Sequence, residues 1–164
     1  MATKRRIVLG RRWAWIYSLV LVWGLVRIVV VIVWPGVRSD LNGDEATFAT
    51  LAQWVANGRD YREWGPLDKY GEPWGRVLFP KTASLLVPAS GLTRLGMDSF
   101  NALRLVTILY SILAALILVA ISQSLQAHFR LRNWPTFALI GIAIFLLAPG
   151  HLLYSSIGTK TAPV

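Results

Sequence analysis

The 164-residue chain contains no cysteine, which excludes a disulfide framework and every thiolate metal site. Charge is also scarce: 15% of residues are Asp, Glu, Lys or Arg, whereas a soluble domain of this length carries roughly a quarter. Acidic residues are missing from both ends, and all eight lie between Asp40 and Asp98. No P-loop, GxSxG, HExxH or CxxC pattern occurs, so no ready-made phosphate cradle, nucleophile elbow or zinc helix is present. Internal repeats and low-complexity segments are absent as well.

Basic residues are plentiful, giving a formal net charge of +9. Lys4, Arg5, Arg6, Arg11 and Arg12 precede the first apolar run, and Arg130 and Arg132 lie between the second and third. From Arg38 to Asn101, seven basic residues face eight acids, a net of −1. The excess therefore belongs to two short segments expected on one side of a membrane, as the positive-inside rule describes. No basic groove with interleaved aromatics accompanies it, which argues against nucleic-acid binding.

Apolar residues make up 55% of the chain, with a mean hydropathy of +0.51. The run from Trp13 to Trp34 is about 33 Å long as a helix, enough to cross a hydrocarbon core of about 30 Å. Trp13, Trp15 and Trp34 stand where aromatic belts form. A cleaved signal peptide would also begin with a basic stretch. This run is too long for one, is interrupted by Arg27, and lacks a small-residue cleavage site. Further runs extend from Ala102 to Ser122 and from Trp134 to Tyr154, the latter with Pro135 in its first turn, where a missing N–H costs little.

The expected fold is an all-α integral membrane protein with three transmembrane helices and a large, partly helical outer loop. Its parts are a cytoplasmic basic N-terminus (1–12), spans at 13–34, 102–122 and 134–154, an external loop at 35–101, a cytoplasmic link at 123–133 and an external tail at 155–164. The expected location is the plasma (inner) membrane, with the loop on its outer face. Within the loop, Phe48, Leu51, Ala52 and Val55 predict a helix over 44–57, stopped by Asn57-Gly58 and lying along the membrane surface. Gly65-Pro66, Gly71 and Glu72-Pro73 predict turns. Pro80 and Pro88 interrupt the apolar stretch from Val77 to Leu95, which reads as an interfacial or re-entrant piece.

Asp44 and Glu45 stand side by side shortly after the first run ends. One reading is local: Asn42 as N-cap with Glu45 three residues on makes a capping box. The other is catalytic, a carboxylate held at the membrane surface for acid–base chemistry on a lipid-borne substrate. Asp40-x-Asn42-x-Asp44 has the opening spacing of an EF-hand. Glu45 stands where that loop needs Gly and Leu51 where it needs a bidentate Glu, leaving at most a looser divalent-metal site from Asp40 and Asp44. Arg27 lies about 10 Å from Trp34, long for snorkelling. It fits a partner or an aqueous cavity within a larger helical bundle. Lys81, Arg76, Arg59 and Arg62 are candidates for a phosphate, or for solvent and headgroup contacts. Trp64 and Trp74 suit sugar stacking or interface anchoring, and His151 suits packing.

These parts in this order resemble a family. An Arg in the first span, Asp44-Glu45 followed by Phe48 and Ala52, then Gly58 and Tyr61, resembles the start of the GT-C membrane glycosyltransferases. The nearest branch is the family 39-like one of dolichyl-phosphate-mannose protein mannosyltransferases and bacterial aminoarabinose lipid A transferases. Leu92-Thr93-Arg94-Leu95-Gly96-Met97 running into Ala102-Leu103-Arg104-Leu105 also resembles that family's entry to its second span. The resemblance covers most of the chain from Arg27 to Tyr154.

It implies a polyprenyl-phosphate sugar donor, an external protein or lipid acceptor, and inversion at the anomeric carbon. Asp44, beside Glu45, would be the general base. Lys81, with Arg76, would neutralise the donor phosphate. The sequence departs from the pattern in having a single proline in Phe79-Pro80-Lys81 and Thr47 where the aminoarabinose branch has Arg. Family members have many more spans, so the chain resembles their front third. Activity is then expected to require the remainder of such an enzyme or another membrane subunit. The competing reading is a non-catalytic membrane subunit or scaffold that binds a partner or lipid through its outer loop. A transporter is disfavoured by the lack of a repeat.

Overall fold

A computed structural model describes the backbone of residues 2–33, 43–129 and 134–147, and the side chains of 12–30, 45–129 and 134–144. Among the described residues, five α-helices follow one another: α1 (Ala2–Val33), α2 (Gly43–Ala56), α3 (Trp74–Arg94), α4 (Ser99–Phe129) and α5 (Trp134–Leu147), with a 3-10 turn at Tyr61–Glu63. Among the described residues the only β pairing is an isolated bridge between Leu67 and Pro73. Two of the described helices are long and apolar enough to cross a membrane, α1 over Arg12–Val30 and α4. For the third expected span, α5 supplies the shorter apolar stretch Trp134–Ile144. Residues 148–154 of that span lie outside the described residues.

The chain folds as two compact units, one combining α1 up to Val29 with α4 from Ile108 onward and α5, the other holding α2, the 3-10 turn, α3 and the start of α4. In the first unit, Trp13, Ile16 and Val20 share one face of α1 and pack with Ala115, Val119, Ala138 and Ile142. The other faces are apolar too: Leu21, Leu25, Ile117, Ile121, Ile140 and Ile144 are all exposed. Helices apolar on every side suit a lipid surround.

Polar contacts extend this packing at one end. The Trp13 indole N–H donates to Gln126 Oε1 at 2.7 Å in a buried site, and the Tyr17 hydroxyl donates to Gln123 Oε1 at 3.2 Å. These bonds explain why α4 continues to Phe129 and does not stop near Ser122, where the apolar pattern ends. Gln123 and Gln126 are good helix formers whose polar ends are satisfied by α1. Trp13→Phe keeps the ring and removes the donor, leaving the Gln126 carbonyl without that partner. We expect it to cost about 1 kcal/mol, read as a lower melting temperature of the purified protein.

In the second unit, Phe48, Leu51 and Ala52 of α2 pack with Leu86 and Ala89 of α3 and with Ala102, Leu103 and Val106 of α4. The α2 stripe is thus covered by protein, where the sequence pattern alone assigned its burial to the membrane surface. Helix α2 ends at Ala56, and Gly58 takes φ +77°, a left-handed conformation that terminates helices and suits glycine. The Gly58 N–H donates to the Val55 carbonyl at 3.0 Å.

The segment read as an interrupted interfacial piece is instead one continuous helix, α3, with Pro80 and Pro88 inside it. Each internal proline removes a helical hydrogen bond and costs about 3 kcal/mol. Gly75, Thr82, Leu86, Ala89, Ser90 and Thr93 form a buried face, whose packing against α2 and α4 holds the helix together. Pro80 lies outside that face and is exposed.

Candidate functional site

Glu45 opens the inward face of α2, in register with Phe48, Ala49 and Ala52. Its side chain is 1% exposed, and that of Arg104 on α4 is 4% exposed. The two meet as a bidentate pair, Arg104 Nε donating to Glu45 Oε1 at 2.5 Å and Nη2 to Oε2 at 3.1 Å. Two parallel charge-assisted bonds are what a buried pair needs to offset desolvation. The carboxylate of Glu45 is therefore directed into the protein, in an ion pair across 59 residues of sequence, while the Asn42 of the expected capping box lies outside the described residues.

The backbone of Asp44 belongs to the first turn of the same helix, so the pair fixes the segment that carries it. The Asp44 side chain lies outside the described residues, as do Asp40, Asn42 and His151. The divalent-metal arrangement of Asp40 and Asp44 falls there too. Among the described residues, no group of three or more acidic or His side chains gathers as a metal site.

The cations assigned to the donor phosphate divide. Arg76 and Lys81 are both exposed on α3, but five residues of helix separate their directions by about 140°. Arg76 faces Tyr61 and Arg62 across a surface cleft of about 340 Å³, and Lys81 is not among the described residues lining it. Glu72 Oε2 accepts from Arg76 Nη1 at 2.8 Å. Tyr61 lies flat against Phe79, with ring centroids 4.2 Å apart. The Tyr61 hydroxyl accepts from Arg62 Nε at 3.5 Å. That bond, with the nearby Asp60 charge, raises the Arg62 pKa above its ordinary value. The cleft thus presents two guanidinium groups beside an aromatic ring, a combination suited to an oxyanion carried on a larger ligand.

Other candidates have other surroundings. Arg59 lies over Trp54, 4.5 Å from the ring centroid, while Trp54 Nε1 donates to the Asp60 carbonyl at 2.8 Å. Trp64 packs against the α2–α3–α4 core, and Trp74 is 40% exposed. In the first unit, Arg27 is half-buried and its guanidinium sits 5.3 Å from the ring centroid of Trp23, one turn earlier, a cation–π contact that lowers the cost of a charge in an apolar helix.

Arg104 is the residue that sequence reasoning passed over. The signal was an arginine between Leu103 and Leu105 at the start of an apolar run, which demands a partner as Arg27 does. Comparison of the chain with protein-family models, curated proteins and solved structures gives no match.

Proposed function

We propose that the chain is the N-terminal portion of a membrane glycosyltransferase of the GT-C type, moving a sugar from a polyprenyl-phosphate donor to an external protein or lipid acceptor. In this reading α1, α4 and α5 span the plasma membrane with the N-terminus cytoplasmic and the loop of residues 35–101 outside. Asp44 is the general base that takes the acceptor proton, and the donor phosphate is met by cations of α3 and its neighbours.

The observation that carries the reading is the buried Glu45–Arg104 pair. It ties the first turn of α2, which includes Asp44, to the start of a helix able to cross a membrane. A base must be held in place at the water–lipid boundary to act on an acceptor whose donor keeps its tail in lipid. The cleft lined by Tyr61, Arg62 and Arg76 adds an anion-compatible surface on the same unit.

The test is Asp44→Asn in the protein expressed from its own locus, with transfer of labelled sugar from polyprenyl phosphate measured in native membranes. We expect transfer to fall about a hundredfold, at the low end for loss of a general base, with the amount of folded protein unchanged. Undiminished transfer sinks the assignment of Asp44. The second reading, a non-catalytic membrane subunit, draws on the same pair: both Glu45 oxygens are occupied by Arg104, as a purely structural anchor requires. Function that survives Asp44→Asn but is lost on disrupting the Phe48/Leu51 face favours it.

A further inference from the structure

Residues 65–74 form a tightly bonded hairpin that displays apolar side chains. The Asp68 N–H donates to the Glu72 carbonyl at 2.8 Å, Gly71 N–H to the Asp68 carbonyl at 3.0 Å and Trp74 N–H to the Pro66 carbonyl at 3.0 Å. Asp68 Oδ1 accepts from the Tyr70 and Glu72 amides at 2.8 and 3.0 Å. So fixed a turn would ordinarily bury its apolar residues or carry polar ones at its tip. Here Leu67 is 65%, Tyr70 78% and Trp74 40% exposed.

Charge in the same stretch is sorted by sign. One oxygen of Asp68 accepts from two backbone amides, and Glu72 pairs with Arg76. Lys69 is exposed, its Nζ 4.9 Å from the Tyr70 ring centroid. A Tyr, a Trp and a Leu beside an exposed Lys is the composition that settles at the headgroup level of a bilayer. Sequence position agrees: the hairpin lies between the two stretches long and apolar enough to span, Arg12–Val30 and Ser99–Phe129.

We propose that this hairpin is an interfacial membrane anchor, with Leu67, Tyr70 and Trp74 inserted at the headgroup boundary and Lys69 on anionic headgroups. The proposal rests on the membrane-spanning part of the functional reading and is independent of glycosyl transfer.

The absence of cysteine allows a clean test by site-directed spin labelling of the full chain in nanodiscs containing one anionic lipid in three. Labels are placed singly through Tyr70→Cys, Leu67→Cys, Glu63→Cys and Ile117→Cys, the last on an exposed face of α4. Collision with oxygen, which concentrates in lipid, is compared with collision with a water-soluble nickel chelate. Labels at 70 and 67 are expected to give an oxygen-to-nickel collision ratio severalfold above that at 63 and below that at 117. Two labelled hairpin positions keep the result readable if one variant fails to fold. Labels at 70 and 67 that favour nickel as strongly as the label at 63, with 117 still in lipid, overturn the anchor alone. Shielding from both reagents means protein covers the hairpin and also overturns it. A nickel-favouring label at 117 removes the membrane reading and the anchor together.

Discussion

Glu45→Leu is expected to destabilise the α2–α4 unit by about 3–5 kcal/mol, because it leaves the Arg104 guanidinium buried without its partner carboxylate. Arg104 is 4% exposed, so water cannot substitute freely for the two lost bonds. Arg104→Met should cost a similar amount by stranding the carboxylate. The double variant Glu45→Leu/Arg104→Met should recover most of the loss, since an apolar pair of similar volume is often neutral or better than a buried ion pair. The measurement is thermal unfolding of all four proteins in the same lipid, analysed as a double-mutant cycle. Additive single effects would mean that the two residues are not coupled. The double variant also separates anchoring from chemistry. Under the proposed function, a pair that only holds the first turn of α2 lets glycosyl transfer return with stability, whereas a Glu45 that itself takes part lets stability return without transfer.

Legibility in the sequence followed the range of the forces involved. The long apolar helices could be read because length and hydropathy over about 20 residues are local properties of the sequence. Helix α2 could be read because Phe48, Leu51, Ala52 and Val55 repeat at helical spacing within a single segment. Helix α3 could not. Pro80 and Pro88 are local signals for a break, and they are outweighed by a buried face that exists only once α2 and α4 are in place. The far end of α4 was hidden for the same reason, since Gln123 and Gln126 look like a polar exit until Trp13 and Tyr17 meet them. At the candidate site, the residue types signalled a need: Glu45 near an apolar stripe and Arg104 within one. Their match, 59 residues apart, depends on packing that no local pattern encodes.

Gly75→Ala is the second large expected effect, and its sign runs against helix propensity. Ala is better than Gly by about 0.8–1 kcal/mol in an exposed helix interior, yet we expect this substitution to cost about 3 kcal/mol. Gly75 is the second residue of α3, and its N–H donates to the Trp64 carbonyl at 2.9 Å. An added Cβ would overlap the Tyr61 carbonyl oxygen, with the carbonyl carbon at 2.9 Å and Trp64 Cβ at 3.2 Å. The first two are backbone atoms, so no rotamer change can make room. The 3-10 turn must move away from α3, which strains the Trp64 bond and the Tyr61–Phe79 stack and pulls Tyr61 and Arg62 away from Arg76. Gly91→Ala, in the same helix, is the control. There the new methyl would meet nothing within 4 Å and the position is exposed, so helix propensity should make the change neutral or stabilising by up to about 1 kcal/mol. Melting temperatures give the stabilities, and near-ultraviolet circular dichroism reads the Tyr61 and Trp64 surroundings. If Gly75→Ala melts at or above the parent temperature, the close approach of α3 to the 3-10 turn is wrong, and the arginine cleft built on it goes with it.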